Sequence, residues 1–178
     1  MQKYKKMKIS IYIAVSANGL ISNSRNVPDW LSPEYSEGFV SICQKMKAVI
    51  MGKTTYNILA PDYLPLKEGT TVVLTTDEQA KSDNSTVVFT KNKAPEIAEM
   101  LAKKGHTEAV IIGGAMTMSE FINAELVDDI YFVMEPVLFG IGLPLLKNVE
   151  LESKLNLLEV KKLNGNTVQL HYEIKKRP

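Results

Sequence analysis

The stretch AVIIGGA at residues 109–115 runs four apolar residues into a pair of glycines, and AVIMGKTT at residues 48–55 has a similar arrangement earlier in the chain. A short apolar run that ends at glycine is typical of a strand buried on both faces of a sheet. Helical spacing of apolar residues follows each run, over 54–59 and at Met118, Phe121 and Ile122. A strand, a glycine turn and a helix, found twice, predict a parallel α/β sheet with helices on both faces.

The rest of the chain fits this architecture but ends in strands alone. Residues 157–163 and 168–174 are joined by Asn164-Gly165-Asn166, which predicts a C-terminal antiparallel hairpin. Pro61 is expected to end the helix that begins near Thr54. Since no linker, repeat or low-complexity tract interrupts the chain, we predict one domain over residues 1–178 with a mixed, mostly parallel sheet. Further strands are predicted at 9–15, 20–21, 71–74, 86–89 and 130–134, and further helices at 33–46 and 94–104.

Composition and charge exclude several classes of function. The 178 residues carry 21 Lys and Arg against 20 Asp and Glu, so no general basic field favours nucleic acid or an anionic membrane. The longest uncharged apolar stretch, at 136–146, is far shorter than the roughly 20 residues that a transmembrane helix requires. The single cysteine, Cys43, lies on the apolar face of a predicted helix, and no Cys or His spacing indicates a metal site. We expect a cytoplasmic protein with a small-molecule substrate and no metal, nucleic-acid or membrane partner.

Three predicted strands end in small or hydroxyl-bearing residues, at 51–55, 74–76 and 112–115. Open α/β sheets bind ligands at the carboxyl ends of their strands, so these three turns can share one crevice. In the first and third turns, glycine lets the backbone approach a ligand, and the following helix directs its free N–H groups and positive dipole end towards that place. Thr75 and Thr76 in the second turn offer hydroxyl groups to a further phosphate.

Each turn also has a purely structural interpretation. A glycine pair after a strand can serve turn geometry alone, and paired threonines at a strand end can reflect β propensity. Taken together, two separated phosphate-binding turns and a third polar turn indicate a pyrophosphate with one more phosphate, hence a dinucleotide. Neither the P-loop pattern nor GxGxxG is present, which argues against an ATPase and a Rossmann enzyme. Trp30 either stacks on a planar heterocycle or packs its loop against the core.

Six motifs in one order give the sequence a family resemblance. They are IAVSANGLI at 13–21, Trp30, VIMGKTTY at 49–56, IIGG at 111–114, LVDD at 126–129 and PVLFGIGLPLL at 136–146. Over about residues 8–174 the chain resembles the dihydrofolate reductase superfamily. Within it, the chain looks most like the reductase domain of riboflavin biosynthesis, the C-terminal domain of bacterial bifunctional deaminase-reductases, and its stand-alone relatives. The resemblance implies a three-layer sandwich of helices around a mixed sheet, with NADPH as the cofactor.

The resemblance also implies roles for individual residues. The nicotinamide would lie against Ala14 and Ile21. The substrate would lie beside Asn18 and Trp30, and Arg25 is the arginine that could bind a substrate phosphate. Pyrophosphate binding is implied for Met51, Gly52, Lys53, Thr54, Thr55, Gly113, Gly114, Ala115, Met116 and Thr117, and binding of the adenosine 2′-phosphate for Thr75 and Thr76.

Three features depart from the riboflavin branch. That branch has aspartate where this chain has Asn18, and an acidic residue where it has Ile112, both near the substrate. The branch also grips a ribose phosphate with arginines, whereas this chain has only Arg25 and Arg177. A phosphorylated substrate therefore has few arginines to bind it here.

Hydride transfer needs a proton for the reduced heteroatom, from water or from a nearby acid. Dihydrofolate reductases carry a carboxylate on the first helix that protonates the pterin, and Glu34 lies near that place. Asp29 is the second candidate. Both residues can equally be ordinary acids at the start of a helix.

We expect an NADPH-dependent oxidoreductase that transfers a hydride to a small heterocycle, most like the 5-amino-6-(5-phosphoribosylamino)uracil reductase of riboflavin biosynthesis. Two alternatives remain open, a dihydrofolate or pterin reductase and a non-catalytic NADP(H)-binding protein. The apolar, strand-rich part at 130–146 and the resemblance together predict a homodimer.

Overall fold

The architecture is an eight-stranded sheet between two layers of helices, with a separate two-stranded sheet at one edge of the ligand cleft. A computed structural model describes residues 7–64, 66–150 and 152–175. Its elements in chain order are β1 (Lys8–Ser16), β2 (Leu20–Asn23), α1 (Pro33–Met46), β3 (Ala48–Gly52), α2 (Lys53–Tyr63), β4 (Thr70–Leu74), β5 (Val87–Thr90), α3 (Ala94–Lys103), β6 (Glu108–Ile111), α4 (Ala115–Asn123), β7 (Asp129–Glu135), β8 (Gly142–Pro144), β9 (Leu155–Lys162) and β10 (Val168–Ile174).

The large sheet has the strand order β5-β4-β3-β6-β1-β7-β10-β9. Pairing is parallel from β5 through to β7, whereas β10 runs antiparallel to both β7 and β9. The predicted mixed sheet with a C-terminal antiparallel hairpin is therefore confirmed. The sequence did not indicate β8, which pairs with β2, because a three-residue strand made of glycine, leucine and proline has no alternating pattern.

Two apolar cores hold the helices on opposite faces of the sheet. Side chains of α1 and α2 pack with Val49 and Met51 on one face. Side chains of α3 and α4 pack with Ile50 and Ile111 on the other face. This alternation explains why the runs that open both glycine motifs are apolar at every position.

Cys43 on α1 is 2% exposed, as its place on an apolar helical face predicted. Burial raises the pKa of its thiol to about 12, so the group stays protonated and acts as a packed core residue. No helix in the described ranges is long and apolar enough to cross a membrane.

The end predicted for the second helix is wrong. Helix α2 continues past residue 61 and ends at Tyr63. A proline removes only the N–H of its own residue, so near the end of a short helix it costs one hydrogen bond without stopping the chain from completing the turn. Two more residues, Asp62 and Tyr63, are thereby placed on a helix that borders the ligand cleft.

A buried carboxylate ties three distant parts of the chain together. Glu135, at the end of β7, is 1% exposed. It accepts hydrogen bonds from the Ser32 backbone N–H at 2.9 Å and the Ser32 hydroxyl at 2.7 Å. The Thr167 hydroxyl donates a third bond at 3.1 Å. The start of α1 and the turn between β9 and β10 are thus both fixed to β7.

We expect Glu135→Gln to destabilise the fold, because one acceptor oxygen becomes an amide that faces a buried donor. The free energy of unfolding should fall by about 1–3 kcal/mol in urea denaturation. The matched control is Glu37→Gln, on the exposed side of α1, which should change it by less than about 0.5 kcal/mol. Equal effects of the two substitutions would show that the buried network has no special role.

Candidate functional site

A cleft of about 920 Å³ lies at the carboxyl ends of the central parallel strands. Its position follows from the order of the strands. The connections through α1 and α2 carry the chain from β1 towards β5, and those through α3 and α4 carry it back towards β7. Open α/β sheets have a crevice where the winding reverses in this way.

Two glycine turns meet on the floor of this cleft. The Gly52 N–H donates to the Gly113 carbonyl at 3.4 Å. A Cβ on Gly113 would lie 2.9 Å from Cγ2 of Thr55, closer than side chains can approach. Gly114 has φ +89°, which glycine adopts without strain. Only glycine therefore allows these two turns to lie against each other.

Each turn leads directly into a helix whose first residues line the cleft. Gly52 is the N-cap of α2 and Gly114 is the N-cap of α4, and neither cap residue makes a side-chain hydrogen bond. The N–H groups of the first turns therefore have no side-chain acceptor. Two helix N-termini at one place, each with a positive dipole end, favour an anion with two charged groups over a neutral or cationic ligand.

Lysines gather at the same end of the cleft. Lys53 pairs with Asp77, Lys91 with Glu78 at 2.7 Å and Lys93 with Glu120 at 3.8 Å. The hydrogen bond from Lys53 lowers the pKa of the Asp77 carboxyl. All of these lysines and Lys147 line the cleft. Their ion pairs are exposed and weak, so an incoming phosphate can compete for the ammonium groups.

The opposite end of the cleft is aromatic. We define the substrate end as the residues of the cleft lining that come from the loop after β2, from α1 and from the C-terminal half of α2. Tyr35 stacks on Phe39, with ring centroids 6.4 Å apart, and Tyr63 meets Phe39 edge-on at 5.7 Å. The members of the substrate end are Asn26, Val27, Pro28, Trp30, Leu31, Tyr35, Ser36, Phe39, Ile58, Leu59, Asp62 and Tyr63.

Two of these rings are held by features that the sequence alone did not reveal. The Trp30 ring contacts Phe139 edge-on at 5.1 Å and also lines the cleft, so both roles foreseen for it have a structural basis.

Burial raises the pKa of the Tyr35 hydroxyl, and this effect outweighs a backbone hydrogen bond from Ala14 that lowers the same pKa. The Tyr35 hydroxyl therefore stays protonated and can donate a hydrogen bond.

Most residues proposed from the sequence for cofactor binding are brought together. The predicted cofactor-binding residues that line this one cleft are Ala14, Ile21, Gly52, Lys53, Thr54, Thr55, Thr75, Thr76, Gly113, Gly114, Ala115, Met116 and Thr117. Trp30, predicted to lie beside the substrate, lines the substrate end. Met51 differs, since its side chain is 0% exposed and packs in the core beneath the turn. A run buried on both faces leaves no side chain free for a ligand.

The remaining proposed residues are engaged elsewhere and do not line the cleft. Asn18 donates to the Phe139 carbonyl at 2.8 Å and accepts from the Phe139 N–H at 3.2 Å. Arg25 and Asp29 form an exposed ion pair at 2.9 Å. Glu34 accepts from the Asn164 amide at 2.9 Å. None of these four side chains lines the cleft, and their substrate and proton-donor roles stay predictions.

Two groups of residues that line the cleft were not foreseen. Asp62 and Tyr63 were missed because Pro61 was expected to end their helix. Residues 90–93 follow β5 and line the cleft beside Thr75 and Thr76. The same reasoning that singled out the other strand ends applies to TKNK at 90–93, where a threonine and two lysines follow an apolar run.

Residues 7–169 match the family model of the RibD C-terminal domain, and the chain belongs to this family. The chain is 30% identical over 171 residues to the uncharacterized protein YwjB of Bacillus subtilis (strain 168), covering 93% of this chain and 97% of YwjB. These matches confirm the predicted relationship to the reductase domain of riboflavin biosynthesis.

Solved structures confirm the fold. A putative riboflavin biosynthesis protein from Shewanella sp. PV-4 superimposes with a TM-score of 0.77 at 22% identity, covering 96% of this chain and 100% of that one. Dihydrofolate reductase from Enterococcus faecalis, solved with NADP(H), gives a TM-score of 0.67 at 22% identity, covering 97% and 99%. The chain thus has the dihydrofolate reductase-like α/β fold.

We expect Gly113→Ala to lower the free energy of unfolding by roughly 2–3 kcal/mol, because the new methyl group collides with Thr55. A Cβ at Gly113 would lie 2.9–3.0 Å from the outer atoms of Thr55 but 3.5 Å from its Cβ. Adding Thr55→Ala should therefore recover part of the loss.

The matched control is Gly165→Ala, in an open hairpin turn, where a Cβ would meet no atom within 4 Å. Urea denaturation measures these three variants together with Thr55→Ala alone. Strictly additive losses in the double variant would contradict the proposed contact between the two turns.

Proposed function

We propose that this protein is an NADPH-dependent reductase that transfers a hydride to a small planar heterocycle, in the manner of the riboflavin-pathway reductases. One observation carries the proposal. The cleft joins a phosphate-binding end, made of two helix N-termini and four lysines, to an aromatic end of suitable size for a flat ring. The resemblance assigns the junction of these ends, at Ala14 and Ile21, to the nicotinamide.

The residues present fit the cofactor. The paired turns at Gly52 and Gly113 bring N–H groups from α2 and α4 within reach of one pyrophosphate. Thr75, Thr76 and the 90–93 segment lie farther along the cleft and supply hydroxyl and ammonium groups for the adenosine 2′-phosphate. NADPH, when bound, supplies the hydride.

The side chains of the cleft position the substrate against the cofactor and exclude unproductive orientations of the substrate. Among the hydroxyl groups that line the substrate end, that of Ser36 donates to the Ser32 carbonyl at a long 3.5 Å and can exchange this bond for one to a bound ring. Asp62 and Glu120 are the carboxylates among the described residues of the cleft, and Glu34 and Asp29 are engaged outside it. We therefore propose water as the source of the proton.

The cytoplasm is the proposed location, since it holds NADPH and keeps thiols reduced. The free thiol of Cys43 is buried and has no cysteine to pair with.

We expect Gly114→Asp to weaken NADPH binding at least tenfold, because it places a carboxylate at the N-terminus of α4 against the pyrophosphate. Isothermal titration calorimetry gives the affinity. The matched control is Gly105→Asp, since Gly105 also has φ +89° but lies after α3 in open space. Both variants place a side chain at the same positive φ, and only the first should lose the cofactor.

Unchanged affinity in Gly114→Asp would reject the proposed cofactor site. Tight NADPH binding without oxidation by any pteridine or aminopyrimidine would favour a binding-only protein over an enzyme.

We also propose a homodimer, formed through a different surface from the predicted one. The predicted part at 130–146 includes β7, which lies inside the sheet between β1 and β10. The edge strands of the sheet are β5 and β9, and on β9 the side chains of Leu157 and Val160 are 53% and 59% exposed. A second copy would cover this apolar edge strand and satisfy its unpaired backbone groups.

Leu157→Lys combined with Val160→Lys should convert a dimer to a monomer in sedimentation-velocity runs, since two buried charges would face the partner. Glu159→Lys on the same strand is the control and should leave the dimer intact. A monomeric wild-type protein at micromolar concentration would contradict the proposal.

A further inference from the structure

We propose that the substrate is a planar heterocycle that carries no phosphate or carboxylate group, so that it is neutral or cationic. This inference rests on the proposed function and names its substrate class. It departs from a phosphoribosyl aminopyrimidine and from dihydrofolate as substrates, because both are anions, and it is consistent with the pterin alternative.

The charges of the cleft are separated along its length. Lys53 begins α2, Lys91 and Lys93 follow β5, and the backbone N–H of Lys147 donates to Ser119 of α4 at 2.8 Å. All four lysines thus lie with the phosphate-binding turns. Among the described residues of the substrate end, Asp62 is the one with a charged side chain.

Helix α2 reinforces this separation. Its N-terminus, at Lys53, faces the phosphate-binding end, and its last residues, Asp62 and Tyr63, face the substrate end about 14 Å away. A helix carries partial positive charge at its N-terminus and partial negative charge at its C-terminus. The negative charge of the Asp62 carboxylate and the partial negative charge on the free carbonyl groups of the last turn therefore add up at the substrate end.

Arg25 does not supply the missing cation. Its guanidinium pairs with Asp29 at 2.9 Å, and both side chains are largely exposed outside the cleft. Because the Arg25 guanidinium is not among the groups that line the cleft, it is not placed to clamp a phosphate or carboxylate at the substrate end. Arg177 lies outside the described residues.

The shape and the neutral polar groups of the substrate end fit a flat, uncharged ring. Tyr35 and Phe39, 8% and 5% exposed, stack with ring centroids 6.4 Å apart, and Tyr63 meets Phe39 edge-on at 5.7 Å. Trp30 lines the same end from the loop before α1. Ser36 contributes a hydroxyl group to the lining. Hydrogen bonds from such groups can orient ring nitrogens and carbonyls, whereas an anionic substituent would face Asp62 without a counter-charge.

Matched pairs of compounds test the inference. One pair is a 6-methyl-7,8-dihydropterin and 7,8-dihydrofolate, which share the pterin ring but differ by a p-aminobenzoylglutamate tail that carries two carboxylates. The other is a diaminopyrimidine nucleoside and its 5′-phosphate. Binding to the NADPH-loaded protein is followed through the fluorescence of Trp30, the one tryptophan of the sequence, and turnover through NADPH absorbance. In each pair, we expect the affinity and the turnover rate to be at least tenfold higher for the uncharged member than for the anionic member.

Charge variants of Asp62 test whether its carboxylate causes the preference for uncharged compounds. Asp62→Asn should reduce the ratio of affinities for the uncharged and the anionic member about threefold to tenfold, and Asp62→Lys should reduce this ratio further. Both effects should become smaller as salt is added, because salt screens the charge at position 62. Asp83→Asn, in an exposed turn outside the cleft, is the matched control and should leave the preference unchanged.

Three results overturn the inference: a preference for the anionic members, a preference that Asp62→Lys does not move, or failure of both members of each pair to bind. Calorimetry with NADPH alone tests the proposed function separately. A protein that binds no NADPH fails as a reductase, while the fluorescence titrations without cofactor still decide which charge the substrate end accepts.

Discussion

The close approach of the turns at Gly52 and Gly113 is the constraint on which the rest of the site depends. Strands β3 and β6 are neighbours in the sheet, so the two chains leave it side by side. Thr55 fills the space that a Cβ on Gly113 would need. Because glycine removes that conflict, α2 and α4 start at nearly the same point from opposite faces of the sheet, and their N-termini converge.

This convergence explains how a nearly neutral protein can hold a highly charged cofactor. The net charge of +1 results from a balance over the whole chain. Within the cleft, dipole ends and lysines collect at one end and Asp62 lies at the other. The two ends of α2 contribute opposite partial charges to these two regions. In the proposed function, this one helix separates the phosphate end of the cleft from the end for an uncharged ring.

Sequence patterns could predict the parts of the fold that depend on local chemistry. The apolar runs before Gly52 and Gly113 identified central strands because both faces of such strands are buried. Side-chain partners far apart in the chain could not be predicted in the same way. Asn18 bonds to Phe139 and Glu34 to Asn164, at separations of 121 and 130 residues, and these bonds direct both side chains away from the cleft. Nor does Glu135 resemble a core residue until its three donors are known.

The most direct test of the account is an amide NMR titration of the ¹⁵N-labelled protein with NADPH. The account predicts saturable binding of one NADPH per chain, with the largest shift changes at the N–H groups of residues 52–55 and 113–117. Changes of similar size spread over the opposite end of the sheet, or the absence of saturable changes at these two turns, would contradict it.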